Sequence, residues 1–423
     1  MSGAHIRLAA GRLLNLVLDK RRTLDDAMAA DDAFNALDGS DRAFARAIAS
    51  SALRHLGWID RGVSPFLSRP LSATGAEIRA LIRAGAAQIW FMDVAPHAAV
   101  SETVEAARLW SPARSGGGFV NAALRRVSET GSPARTISPL ALWPDWLASR
   151  LGSAYGRQTA EALALAQLEE PGLHLSPKGD GARVAEATGG TLLPDGAIDI
   201  ISGAVETLPG YAAGDWWVQD AAARIPAKLL APQPGERILD LCAAPGGKTL
   251  QLAAAGAEVT ALDRSRPRLE RLKENLARTG LHAEVIVGDG EAWEAPAPFP
   301  KLLLDAPCSA LGTLRRHPEG AWIKTEEDVT RFPAVQARLL AAATGMLAPG
   351  GTLVYCVCTP LPAEGVEIVE AAISKGPLKR APVQASEIPG FEACLTPAGD
   401  VLTLPSAGRQ YDAFYIARLT RPD

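Results

Sequence analysis

The chain has 423 residues, 48% hydrophobic and 21% charged, a globular composition long enough for two or three domains and too apolar for general disorder. No run approaches eighteen uninterrupted apolar residues, which excludes a membrane span; Arg7, Arg12 and Asn15 break up Ile6–Leu18, which excludes a secretory signal. The net charge of −4 hides an asymmetry: residues 1–140 hold 17 Arg and Lys against 13 Asp and Glu, a net of +4, and the rest sums to −8. A basic head on an acidic body suits a polyanion steered to one end, although solvated helical faces carry as much.

Helix follows helix over residues 6–127. Ile6, Ala10, Leu13, Leu14 and Val17 recur at three- and four-residue spacing, the mark of an amphipathic helix. Ser40-Asp41 opens a second through Phe44, Ile48 and Leu53. Thr74-Gly-Ala-Glu77 reads as a capping box before Ile78, Leu81, Ile82 and Ile89. Pro96 precedes a helix from about Ala98 to Leu109, and the Gly116-Gly117-Gly118 turn precedes one over Phe119–Val127. Residues 1–130 are therefore expected to form an all-α domain. The Gly, Ser and Pro content of 128–140 marks a linker. Two helices, Asp145–Leu151 and about Arg157–Leu168, and a small α/β subdomain complete the stretch 131–215.

From Gly235 strands alternate with helices, the pattern of a doubly wound, mostly parallel α/β sheet. The strands read as Arg237–Leu241, Val259–Leu262, Val285–Val287, Leu302–Leu304 and Thr352–Val357, with helices Pro267–Arg278 and Val335–Leu347 between them. The expected catalytic domain is 216–423. In such sheets the ligand sits beyond the carboxyl ends of the strands. Here those ends carry Asp240, Asp263, Asp289 and Asp305 together with cysteines.

Asp240-Leu-Cys-Ala-Ala-Pro-Gly-Gly-Lys-Thr249 joins a strand to a helix N-terminus through paired glycines, a backbone that can approach a nucleotide closely. A phosphate-binding P-loop is excluded because Cys242 stands where that motif needs glycine, and no G-x-G-x-x-G is present. Asp263, 23 residues after Asp240, stands where a carboxylate grips ribose hydroxyls. A nucleoside-containing cofactor follows. The five cysteines are an odd number, arguing for free thiols in a cytoplasmic, reducing setting. Cys308 and the Cys356/Cys358 pair lie at the ends of neighbouring strands. Cys356-x-Cys358, without C-x-x-C or a His cluster, is poor zinc spacing, so no metal is expected.

Several segments carry a resemblance: Leu239–Thr249, Leu304-Asp-Ala-Pro-Cys-Ser309, Arg315-Arg-His-Pro-Glu319, Val218-Gln219-Asp220 and Asp412–Leu419. They resemble the Nol/Nop/Sun RNA (cytosine-C5)-methyltransferases. Pro96–Glu105 and Phe119–Arg125 resemble the NusB-like helical RNA-binding domain of that family's ribosomal RNA small-subunit methyltransferase B group. The resemblance spans nearly the whole chain. It implies a Rossmann-like methyltransferase domain, S-adenosylmethionine as cofactor, 16S ribosomal RNA as partner, and a monomer. It also implies that Cys242, Ala243, Ala244, Pro245, Gly246, Gly247 and Lys248 surround the cofactor's amino-acid end, that Asp263 takes the ribose, and that Asp289 lies near adenine. Asp305 would face both the methyl donor and the cytosine.

Carbon 5 of cytosine is too poor a nucleophile to attack a methyl sulfonium unaided; a thiolate adding to carbon 6 activates it. Spacing alone leaves open which cysteine attacks. The family pattern assigns attack to the later cysteine and release to the Pro-Cys, Cys308. In that pattern a proline follows the nucleophile by four positions and a glutamate by six, which Pro362 and Glu364 give to Cys358 and not to Cys356. The chain departs from the pattern in having Val357-Cys358-Thr359 for Thr-Cys-Ser, Glu364-Gly365 for Glu-Asn, and Ala413 for a frequent glycine. Around Leu173-His-Leu-Ser176 the usual arginine is missing. Competing expectations are the same chemistry on transfer or large-subunit RNA, and a non-catalytic assembly factor that keeps the fold.

Overall fold

The computed structural model describes residues 2–200, 203–406, 408 and 411–423. The chain forms two compact units, residues 1–170 with 314–326, and residues 171–313 with 327–423.

The first unit is all-α among its described residues. Helices α1 (Gly3–Leu18), α2 (Gly39–Arg54), α3 (Ala76–Phe91), α4 (Pro96–Leu109) and α5 (Gly117–Ser128) pack around a shared core. The spacing read from the sequence is the buried stripe itself: Leu13, Leu14, Val17, Ile48, Leu81 and Ile82 are all fully buried. Many core positions are alanine, which brings helix axes close and favours helix intrinsically. Two local readings change. Gly75, not Thr74, is the N-cap of α3, and Thr74 Oγ1 donates to Pro70 O at 3.1 Å. The Gly117-Gly118 pair lies inside α5 rather than in a turn before it.

The compact units also cut the chain at places other than 130 and 215. Residues 131–170 belong with the helical unit. They contain two short 3-10 turns and α6 (Asp145–Ala166), which is broken at Gly156, φ +77, into the two expected helices. The small subdomain is a four-stranded antiparallel sheet of order β2-β3-β1-β4: β1 (Leu173–Pro177), β2 (Thr191–Leu192), β3 (Ile198–Ile200) and β4 (Trp216–Val218). Helix α7 (Gly181–Thr188) packs on it. Its fourth strand comes after residue 215, so subdomain and catalytic core share one unit. Residues 201–202 of this stretch lie outside the described residues.

The catalytic core follows through α8 (Ala221–Leu229), β5 (Arg237–Leu241), α9 (Gly247–Ala254), β6 (Glu258–Asp263), α10 (Arg266–Thr279), β7 (Glu284–Val287), β8 (Phe299–Asp305), α11 (Phe332–Met346), β9 (Leu347–Val357), α12 (Val366–Lys375), β10 (Lys379–Arg380), β11 (Val401–Thr403) and β12 (Phe414–Thr420). The order is β10-β12-β9-β8-β5-β6-β7, with β9 to β7 parallel and β12 antiparallel to β9. Helices cover both faces, which is why the strands read as unbroken apolar runs. Ile238, Leu303, Val354 and Cys356 face α8 and Leu252; Leu239, Leu302, Leu304, Leu353 and Tyr355 face α11 and α12. The period-2 alternation thus splits one apolar run between two cores. Strands β10, β11 and β12 are additions to the five strands that the sequence predicts, with β12 antiparallel between β9 and β10 and paired also with β11.

Candidate active site

The carboxyl ends of β5, β6, β7, β8 and β9 converge on one cleft of about 320 Å³, the size of a small-ligand site. Of the residues singled out above, Cys242, Ala244, Asp263, Asp289, Asp305, Cys308 and Cys358 line it. Ala243, Pro245, Gly246, Gly247 and Lys248 are not lining residues.

The loop after β5 turns sharply. Cys242 adopts φ +64, a left-handed conformation costly for a residue with a Cβ. Gly246 has φ +107, and a Cβ there would overlap the Leu272 side chain on α10, so only glycine fits. Asp263 holds this loop: its Oδ2 accepts the Ala244 amide at 3.1 Å and its Oδ1 the Ser265 amide at 2.8 Å. Each carboxylate oxygen can accept one further hydrogen bond. Asp289 Oδ1 accepts the Glu291 amide at 3.0 Å. Both aspartates are turn anchors and cleft walls at once. Asp240 is fully buried beneath the cleft and accepts from Thr249 Oγ1 at 2.6 Å. Burial pushes its carboxyl up to about 7, against the pull of that hydroxyl.

Asp305 is gripped from both sides. Lys248 Nζ lies 2.8 Å from its Oδ2, and the Cys356 thiol donates to Oδ1 at 3.5 Å. Burial lowers the Lys248 ammonium, but Asp305 more than offsets this and holds it above its ordinary value. The Cys356 thiol is fully buried and pushed up by burial, then by Asp305, so it stays protonated. Cys242 is likewise pushed up by burial and by Asp263. The cleft offers a different pair: Cys308 Sγ and Cys358 Sγ stand 3.4 Å apart at its wall, both as free thiols. Its hydrogen bond with Cys358 raises the Cys308 thiol most, followed by burial.

Around this pair lies a network that motif reading misses. Glu364 is fully buried; its Oε2 accepts the Ser309 amide at 2.8 Å and Gln336 Nε2 at 3.0 Å. Gln336 Nε2 also reaches Pro307 O at 3.0 Å, and Tyr355 OH donates to Glu364 O at 2.6 Å. Thr359 Oγ1 accepts from Ser309 Oγ at 3.0 Å and from Leu361 N at 3.3 Å, so the hydroxyl after Cys358 is retained. At Gly365, a Cβ would stand 2.8 Å from the Tyr415 ring, which fills the space an asparagine would need. The signal available for this network was Gln336, a polar residue at a core-facing position of an apolar helix. Among the described residues, no group of three or more His, Cys, Asp or Glu is placed to hold a metal ion, and no helix is long and apolar enough to cross a membrane.

Residues 227–420 match the family model described as 16S rRNA methyltransferase RsmB/F, and residues 4–129 match the NusB family. The chain is 38% identical to ribosomal RNA small subunit methyltransferase B of Xanthomonas campestris pv. campestris, over 88% of this chain and 89% of that one. It is 34% identical to the Pseudomonas putida protein of the same name, over 98% of each. Among solved structures, PH0851 is similar at TM-score 0.77 and 21% identity, over 99% of both chains. NSun6 from Pyrococcus horikoshii with SFG is similar at TM-score 0.59 and 18% identity, over 66% of this chain and 98% of that one. At these identities the two structures speak for the fold.

Proposed function

The chain belongs to the ribosomal RNA small subunit methyltransferase B family, and on that premise we propose that it forms 5-methylcytosine in 16S ribosomal RNA through a covalent adduct to Cys358. It is an S-adenosylmethionine-dependent rRNA methyltransferase; the base, the RNA and the residue roles are the proposal. The observation that carries it is the pair of free thiols 3.4 Å apart beside the Lys248–Asp305 ion pair.

The cleft suits the cofactor. Leu241, Leu262 and Leu339 give an apolar surface for a flat ring, and Asp263 and Asp289 offer acceptors for hydroxyl and amino groups. Bound there, S-adenosylmethionine supplies an electrophilic methyl group.

The residues of the chain do the rest. The Cys358 thiolate adds to carbon 6, and the electron pair of the 5,6 double bond becomes available at carbon 5. Asp305, paired with Lys248, accepts a hydrogen bond from the protonated ring nitrogen 3 and so favours the ring form that accepts the thiolate. After methyl transfer the carbon 5 proton passes to solvent water in the cleft; the electrons of that C–H bond re-form the double bond and expel Cys358 as a thiolate. Cys308, adjacent to Cys358, assists this release. The reading includes a cytoplasmic location, in keeping with five free cysteines, and a monomer acting on RNA without a metal.

The test is transfer of labelled methyl from S-adenosylmethionine to purified ribosomal RNAs and transfer RNA, followed by nucleoside analysis. The reading expects 5-methylcytidine in 16S RNA, lost in Cys358→Ala. Label in transfer or large-subunit RNA would move the target, and no transfer to any RNA would favour an assembly factor.

A further inference from the structure

The two thiols are held by different parts of the fold. Cys358 directly follows the last residue of β9, and its carbonyl accepts the Gly312 amide at 2.9 Å. Cys308 has no strand of its own; it sits in the Pro307-Cys308-Ser309 loop, which is gripped on either side of the cysteine. The Ser309 amide donates to Glu364 Oε2, and Pro307 O accepts from Gln336, which donates to the same Glu364 oxygen. The Glu364 carboxylate, whose backbone carbonyl accepts from Tyr355 OH, thus holds the Cys308 loop on both sides at 2.8 and 3.0 Å, while toward Cys358 it has only a long contact, the Thr359 hydroxyl at 3.5 Å from its Oε1.

We propose that Glu364 is a positioning residue for the release step: it fixes the Cys308 loop so that its thiol stays beside the adduct at Cys358, and it is dispensable for the attack itself. This rests on the division of labour between Cys358 and Cys308 given above. A second effect runs the same way. The hydrogen bond with Cys358 and then burial raise the Cys308 thiol most, and Glu364 adds to this in the same direction, which keeps it from competing as the nucleophile. A buried carboxylate accepting two donors on one oxygen contributes where it sets a geometry, since charge-assisted bonds are the stronger ones.

The experiment mixes full-length protein, protein-free 16S RNA and S-adenosylmethionine, and resolves the products on a denaturing gel. Cys308→Ala accumulates a protein–RNA adduct. Glu364→Ala accumulates the same adduct, and its turnover falls roughly ten- to a hundredfold, the loss of one charge-assisted contact. Cofactor affinity is unchanged. Glu364→Gln can keep an oxygen toward Ser309 and Gln336, so it restores release toward wild type. Should Glu364→Ala fail to fold, Gln336→Leu cuts the hold on the Pro307 side and accumulates adduct to a lesser degree. If Cys308→Ala traps RNA but neither Glu364→Ala nor Gln336→Leu does, Glu364 has no part in release and the proposal is overturned. If Cys308→Ala itself traps nothing, the roles of the cysteines fall first.

Discussion

At the scale of single residues, the carboxylates at the strand ends share an address and differ in duty. Asp263 spends two lone pairs on the amides of Ala244 and Ser265, so Asp263→Ala loosens the loop after β5 and removes the ribose acceptor proposed above. The expected result is weaker S-adenosylmethionine binding by about ten- to a hundredfold, on the order of 1.5–3 kcal/mol. Calorimetry giving an unchanged affinity would remove Asp263 from the site. Asp240 has no such duty toward a ligand; it is buried with its carboxyl raised to about 7 from 3.8. A raised carboxyl contributes stability that is complete below pH about 4 and lost as pH rises through about 7. Asp240→Asn cannot ionise and keeps an oxygen for Thr249, so its melting temperature should gain on wild type between pH 5 and pH 8. A gap independent of pH contradicts this. Much of the residue level was legible in the sequence: Pro362 and Glu364 separate Cys358, at the cleft, from Cys356, which is buried against Asp305. Gln336 stood out only as a polar residue on an apolar helix face; its partners and those of Ser309 were not legible, because they depend on a side chain and a backbone amide meeting across helix and loop.

At the scale of elements, the site depends on register. Asp305 lies opposite Cys356 on the parallel β8–β9 pair, so Cys358 comes one step beyond the end of β9, where the strand opens onto the cleft. Gly312 locks this arrangement: its amide bonds Cys358 O and its carbonyl accepts from Ala413 N, each at 2.9 Å. A Cβ at 312 would overlap Ala413 O and lie 2.8 Å from Cys358 O. Gly312→Ala should therefore destabilise by about 1–3 kcal/mol and lower methylation more than cofactor binding, read from melting curves and parallel activity and binding assays. Wild-type activity in that variant would mean that the backbone around Cys358 is not tightly set. Four of the five parallel strands were legible because both faces are buried and each carries an apolar run; β7, at the sheet edge, is half-exposed and was legible only as the short apolar Val285–Val287. Strand β12 was harder to read, since its neighbours are a strand earlier in the chain and one of two residues. The Thr74 box failed for a local reason: the hydroxyl found a closer acceptor in the preceding 3-10 turn.

At the scale of the whole molecule, the boundary between units does not follow chain order. Residues 314–326, which directly follow the Cys308 loop in sequence, are counted with the helical unit. Arg54 there bonds Gln167 O and, at 3.0 Å, Arg315 O; Glu319 accepts the Leu24 amide at 3.2 Å. The motif Arg315–Glu319, legible as a family segment, gave no hint of this allegiance, because contacts across nearly three hundred residues leave no periodic trace. Arg54→Ala should cost about 2–3 kcal/mol through the bonds it removes, with chemical denaturation as the readout; an unshifted midpoint contradicts the bonding described. The basic character of residues 1–140 predicts that charge reversals on exposed arginines of the helical unit flatten the salt dependence of RNA binding. The account as a whole turns on two thiols 3.4 Å apart having opposite duties. Its most direct test is the denaturant-resistant protein–RNA adduct formed with S-adenosylmethionine by Cys308→Ala, Cys358→Ala and the double variant. The account predicts an adduct in Cys308→Ala alone; an adduct in Cys358→Ala and none in Cys308→Ala would contradict it.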